Sequence, residues 1–269
     1  MKQLICAILL LIAATFVFVQ EVAMSAEPNP VTIEWYGHSC FLLTLNNGAK
    51  ILTDPYDTTR LPYTLPKESV DLILSTHDHF YHNAVKAVPS KVILRADGRD
   101  PKFYGQTAGT KNLSDGSTEV DLKGAKLTCS TVPSFHDERR GSMRGANGMI
   151  RFSIEGITFV HVGDLGDTLK PEQMNKLKPV DVLMIPVGGY FTIDSTQARQ
   201  VVAALAPKVV IPMHYKTPVL SEWFPISGVE PFLQGYAEIR REPGSTLSLQ
   251  SGTLPAALTI EVLKYHGQE

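Results

Sequence analysis

"STHDHFYHN", residues 75–83, puts three histidines within six positions, directly after the apolar run "DLIL" at 71–74. In extended backbone His77 and His79 share one face, because side chains alternate along a strand. His82 follows where a helix can begin and turn its ring back toward the same point. Imidazole nitrogens packed this densely at a strand end suit zinc and similar metals. Residue 81, where a carboxylate could add a further ligand, is a tyrosine.

Further ligands have to come from elsewhere in the chain. His136 follows "LTCSTVPSF", Asp164 follows "TFVHVG", and His214 follows "VVIPM". Each stands just past an apolar strand-like run, where loops collect polar groups into one site. The strand-like runs begin at "VTIEWY" and recur to "KVVIPM". "NNG" at 46–48 and the Glu155-Gly156 pair are hairpin signals. Three helices are expected. "PEQMNKLK" has Pro171 in its first turn. "DSTQARQVVAALA" has Asp194 and Gln197 as a capping box. "GVEPFLQGYAEI" is the third, with Pro231 and Gly235 against it. Periodicity alone reaches a mixed α/β or α+β domain and no further.

Composition bounds the function. The 269 residues are 43% hydrophobic and 19% charged with a net charge of −2. That suffices for one large core and offers no basic surface for nucleic acid. Lys2, the run "LICAILLLIAATFVFV" and the small residues around Ser25 and Ala26 read as a secretory signal over residues 1–26. An uncleaved anchor is the other reading of that segment. Residues 27–269 would form the mature domain, periplasmic or secreted, with no membrane span after cleavage. Cys40 and Cys129 would then remain, as a disulfide or as two buried thiols.

The stretches "WYGHSCFLL", "ILTDP", "STHDHFYHN", "HVGDLGD", "MIPVGGYFTID" and "VVIPMHYKT" resemble the metallo-β-lactamase superfamily. Within it they are similar to the branch holding ascorbate-6-phosphate lactonase and N-acyl-phosphatidylethanolamine phospholipase D. The resemblance runs from about residue 35 to 217. It implies an α+β fold, a four-layer αββα sandwich. It implies one or two divalent metal ions, zinc in first place with manganese or iron as alternatives. His77, His79 and His136 would hold the first metal, His82 and His214 the second, and Asp164 would bridge them. Asp54 would orient the histidine loop, and His38 would face substrate, support a ligand or make a structural hydrogen bond.

Tyr81 stands where the family pattern T-H-x-H-x-D-H has its aspartate. It can bind metal as a phenolate or point away and leave the site open. Asp78 has the wrong parity to replace it. The implied function is a metal-dependent hydrolase whose metal-bound hydroxide attacks an ester, lactone, amide or phosphodiester of a small molecule, with Asp164 and Tyr81 as catalytic residues. The alternative is a mononuclear or non-catalytic member. A β-lactamase fits export but not "IPVGGYFT" and "IPMHYKT". Arg139, Arg140 and Arg144 form either an anion-binding cluster or a solvated loop. His161 reads as a core or supporting histidine, and Tyr190 and Phe191 read as core, with pocket lining as the other reading.

Overall fold

The computed structural model describes residues 29–98 and 110–268; residues 1–26, read above as a secretory signal, lie outside them. Apolar runs with β-branched residues become two sheets. The first contains β1 (Val31–Trp35), β2 (Phe41–Leu45), β3 (Lys50–Thr53), β4 (Val70–Ser75), β5 (Ser90–Arg95) and β6 (Thr110–Asn112). The second contains β7 (Thr118–Leu122), β8 (Ala125–Phe135), β9 (Ala146–Ile154), β10 (Ile157–His161), β11 (Val182–Pro186), β12 (Val209–Met213), β13 (Ile239–Arg241) and β15 (Thr259–Val262). β14 (Thr246–Leu249) returns to the first sheet. The orders are β14-β1-β2-β3-β4-β5-β6 and β13-β15-β12-β11-β10-β9-β8-β7.

Alternation along the strands sorts side chains between two cores. Leu43, Ile51, Leu72, Leu74 and Leu94 join residues of β8–β12 in the core between the sheets. Leu42, Leu52, Ile73 and Ile93 point the other way, against Tyr56, Leu61, Tyr63 and Leu220. The expected hairpins are present: β2 and β3 pair antiparallel across 46–48. β9 and β10 pair with Ile154 opposite Ile157, and Glu155 and Gly156 both have positive φ.

The described helices are few. α1 (Pro171–Leu177) starts on a proline. α2 (Ser195–Leu205) is capped by Asp194, whose side chain accepts from Thr196 and Gln197. α1 touches β8 and α2 touches β11, so both cover the second sheet. The loops around Tyr56, Leu61 and Tyr63 cover the outer face of the first. The expected helix over 228–239 is corrected to a single turn, α3 (Glu230–Leu233). Gly235 takes φ +88 just beyond it and ends the helix, and Ile239 already belongs to β13. The segment after β4 likewise stays in turns, with the His82 amide donating to the His79 carbonyl. Cys40 and Cys129 are both buried free thiols. They belong to different cores, which corrects the disulfide alternative. No described helix is long and apolar enough to cross a membrane.

Candidate metal centre

Strand direction places the site. β3, β4 and β5 run parallel, as do β10, β11 and β12. Asp54 and His77 follow the C-terminal ends of β3 and β4, and Asp164 and His214 those of β10 and β12. His136 follows β8, and His38 sits in the turn between β1 and β2. Both sheets therefore deliver polar residues to one edge of the sandwich.

Asp164 is the centre of the cluster. Its Oδ2 lies 3.0 Å from His136 Nε2, 3.1 Å from His82 Nε2, 3.4 Å from His214 Nε2 and 3.9 Å from His77 Nε2. Ligand arms of about 2.1 Å in a tetrahedron put donor atoms about 3.4 Å apart, so these spacings match atoms sharing a metal ion. The donors are also idle: His77 Nε2, His79 Nδ1, His82 Nε2 and Asp164 Oδ1 are buried without a hydrogen-bond partner. Buried polar atoms without partners are costly, and an ion would satisfy them. The set fits a divalent cation, and the groups His77–His136–Asp164, His77–His79–His82 and His38–His82–His214 could each hold one.

One carboxylate sets two imidazoles. Asp54, fully buried, accepts from the Thr76 amide and the Thr76 hydroxyl, both at 2.7 Å, and lies 2.9 Å from His82 Nδ1. A carboxylate only accepts, so His82 Nδ1 carries a proton and Nε2 faces into the cluster. The Thr76 hydroxyl donates its hydrogen bond to Asp54. His77 Nδ1, 3.0 Å from that oxygen, must then donate, and His77 Nε2 also faces inward as an acceptor. Asp164 is held in turn by Asn147, whose side-chain oxygen accepts from the Asp164 amide at 3.1 Å. The glycine of "HVGD" is required here. Gly163 has φ +58, and a Cβ on it would meet the Asn147 side-chain oxygen at 2.3 Å.

Burial governs the protonation states. It pushes His38 and His77 well below the usual histidine range, helped by the neighbouring histidines, and His79 down to about 4. His82 goes the other way. Burial disfavours its charge, but Asp164 and Asp54 outweigh that and raise it to about 10. Asp164 is held well below the usual carboxylate range because His214, His82 and His136 outweigh its burial.

The cluster floors a cavity of about 500 Å³ lined by His79, His136, Asp164 and His214, with Phe80, Tyr81, Met143, Arg144 and Phe191 as walls. The Tyr81 ring stands edge-on to His79 at 5.0 Å and to His38 at 5.4 Å. Asp78 turns to Asn83 and Arg95, away from the cluster. Of the three arginines in the 137–145 loop, Arg144 alone lines this cavity, over the Phe191 ring at 5.7 Å. The Asp137 carboxylate shapes that loop, accepting from the amides of Arg139, Gly141, Met143 and Arg144 at 2.7–3.0 Å. Asp137, Asn147 and Thr76 escaped sequence reading. Each is a common turn or strand residue, and only the loop path shows what it holds. His161 supports the site from the core, with Nε2 2.9 Å from the Ser39 carbonyl. Tyr190, expected in the core, is 65% exposed, at φ +62 in a turn that faces it outward.

The profile of the beta-lactamase superfamily domain matches residues 32–214. A UPF0173 metal-dependent hydrolase of Pyrococcus abyssi is 34% identical over 212 residues, covering 73% of this chain and 88% of that protein. Another, from Pyrobaculum arsenaticum, is 31% identical over 204 residues, covering 69% and 84%. Among solved structures, one from Thermotoga maritima assigned to the Zn-dependent hydrolases of the metallo-β-lactamase superfamily is 30% identical with a TM-score of 0.63. It covers 87% of this chain and 98% of its own. With the histidine–aspartate cluster at the shared edge of two sheets, these likenesses show that the chain belongs to the metallo-β-lactamase superfamily and, within it, to the UPF0173 family.

Proposed function

We propose that the chain is an exported metal-dependent hydrolase that cleaves an ester, lactone, amide or phosphodiester of a small molecule. The observation that carries this reading is the single Asp164 oxygen set 3.0–3.9 Å from nitrogens of four histidines at the floor of an open cavity. His77, His79 and His136 would hold one divalent ion, and His82 and His214 the other, with Asp164 shared. Zinc suits the nitrogen-rich set best, with manganese or iron as alternatives. When bound, the metal supplies Lewis acidity to the scissile group and lowers the pKa of water toward about 7.

The chain's own groups do the rest. Asp54 keeps Nε2 of His82 and of His77 aimed inward. Asn147 holds Asp164 in place. Tyr81 lines the wall where substrate would lie, and in this reading it contacts substrate and leaves metal binding to others. Phe80, Met143 and Phe191 offer an apolar surface, and among the described residues no carboxylate pairs with Arg144. The cavity thus favours a substrate with an apolar body and an anionic group, which a guanidinium binds well. Export rests on Lys2, the apolar run after it and the small residues near Ser25 and Ala26.

A mononuclear or non-catalytic protein is the second reading, and Tyr81 is the observation behind it. The test is hydrolysis of a panel of esters, lactones, amides and phosphodiesters by metal-loaded and chelated protein. Turnover of at least one class, lost on chelation and restored by metal, is expected. No turnover in the native chain together with a gain in Tyr81→Asp would establish the second reading instead.

A further inference from the structure

We propose that His38 is a ligand of the second metal, replacing the aspartate that the chain lacks at position 81. This rests on the metal-centre reading above and completes it. Three observations converge.

First, one ring nitrogen from each of His38, His82 and His214 can be chosen so that all three lie within 4.8 Å of one another. The His38 ring is 4.0 Å from that of His214 and 5.0 Å from that of His82, centroid to centroid. Second, His38 is 1% exposed, and neither ring nitrogen has a hydrogen-bond partner. A histidine with only a structural role would spend at least one nitrogen on a neighbour, as His161 does with the Ser39 carbonyl. Third, the turn that carries His38 is built to hold it there. The Trp35 indole and the His214 amide both donate to the His38 carbonyl at 3.1 Å, which ties the turn directly to His214. The His38 backbone is left-handed at φ +51, as is His214 at φ +51. Non-glycine residues held in that region cluster at functional sites. Gly37 precedes His38 at φ +90, and a Cβ there would strike the Tyr63 ring at 2.5 Å, so only glycine fits the turn.

The exchange has a chemical consequence. An imidazole in place of a carboxylate removes one negative charge from the second site and makes it richer in nitrogen. Such a site prefers zinc or cobalt(II) over manganese, which favours oxygen donors. The Tyr81 ring is left as an edge-on neighbour of His38, part of the cavity wall.

The test is cobalt(II) titration of the native chain, of His38→Asn and of the double variant His38→Asn/Tyr81→Asp. Bound metal is counted by elemental analysis, and the ligand field is read from the visible absorption. Asparagine is chosen because it tolerates left-handed backbone. The native chain should bind about two ions, as in two-metal hydrolases, His38→Asn about one, and the double variant about two again. Two ions retained by His38→Asn would overturn the proposal. A native chain that binds a single ion would also overturn it while leaving the hydrolase reading intact. A native chain that binds none would remove both. Should His38→Asn not fold, a crystal structure of the zinc-loaded native chain decides. A His38 nitrogen at about 2.1 Å from an ion supports the assignment, and a ring hydrogen-bonded elsewhere refutes it.

Discussion

The Asp54 carboxylate lies 2.9 Å from His82 Nδ1, with both side chains fully buried. Through Thr76 the same carboxylate also fixes His77, so one residue orients two imidazoles that follow a different strand. Asp54→Asn keeps the shape and removes the charge. It should weaken metal affinity about 10- to 100-fold, as outer partners of metal ligands commonly do. Competitive titration with a chromophoric chelator measures this, and an unchanged affinity would refute the orienting role.

The protonation of His82 gives metal binding a pH dependence. In the metal-free protein its pKa is raised to about 10, so the ring is charged at neutral pH. A metal needs the Nε2 lone pair, so binding must release that proton. Below pH about 10 the affinity should fall about tenfold per unit of decreasing pH from this group alone. Calorimetry at pH 7.5 in buffers of different ionisation enthalpy should report at least one proton released per chain. Zero proton release would contradict the assignment.

Arg144 should set substrate preference. For a matched pair of esters, one carrying a distal carboxylate and one its neutral isostere, the native chain should favour the acid. Arg144→Gln should lower that preference about tenfold, or about 1.4 kcal/mol, the scale of one exposed charge-assisted contact. Arg140→Gln, on the same loop but outside the cavity, should leave the ratio where it was. Equal preference in the native chain and Arg144→Gln would refute the anion-binding role.

Asp137 organises the loop that carries Arg144. Asp137→Ala leaves four loop amides without their acceptor. Some of them regain water, so a loss of about 1–2 kcal/mol is expected. For a domain of this size that lowers Tm by about 2–8 °C, measurable by scanning calorimetry. An unchanged Tm with an unchanged KM for the anionic ester would show that the loop holds without it.

The metal residues beyond the opening motif were legible because each follows an apolar run, and parallel strands carry their C-terminal ends to one edge. Asp164 and His214 are of this kind. The placement of His38 was less legible. It depends on the Trp35 indole and the His214 amide meeting the same carbonyl, a contact between residues far apart in sequence. The helix expected at His82 failed because the His79–Asn83 turns follow Asp54 and Asn83 contacts, which override local propensity. The helix expected over 228–239 shortens to α3 for a local reason visible in the sequence, the glycine at 235. Asp137 and Asn147 carry no distinctive spacing, and only the loop path around each reveals its partners.

The most direct test of the metal-centre account is elemental analysis of the native protein purified without chelator, alongside Asp164→Asn. The account predicts about two divalent ions per chain in the native protein, zinc foremost, and a clear loss in Asp164→Asn. A native chain that holds no metal, and takes up none when it is offered, would contradict it.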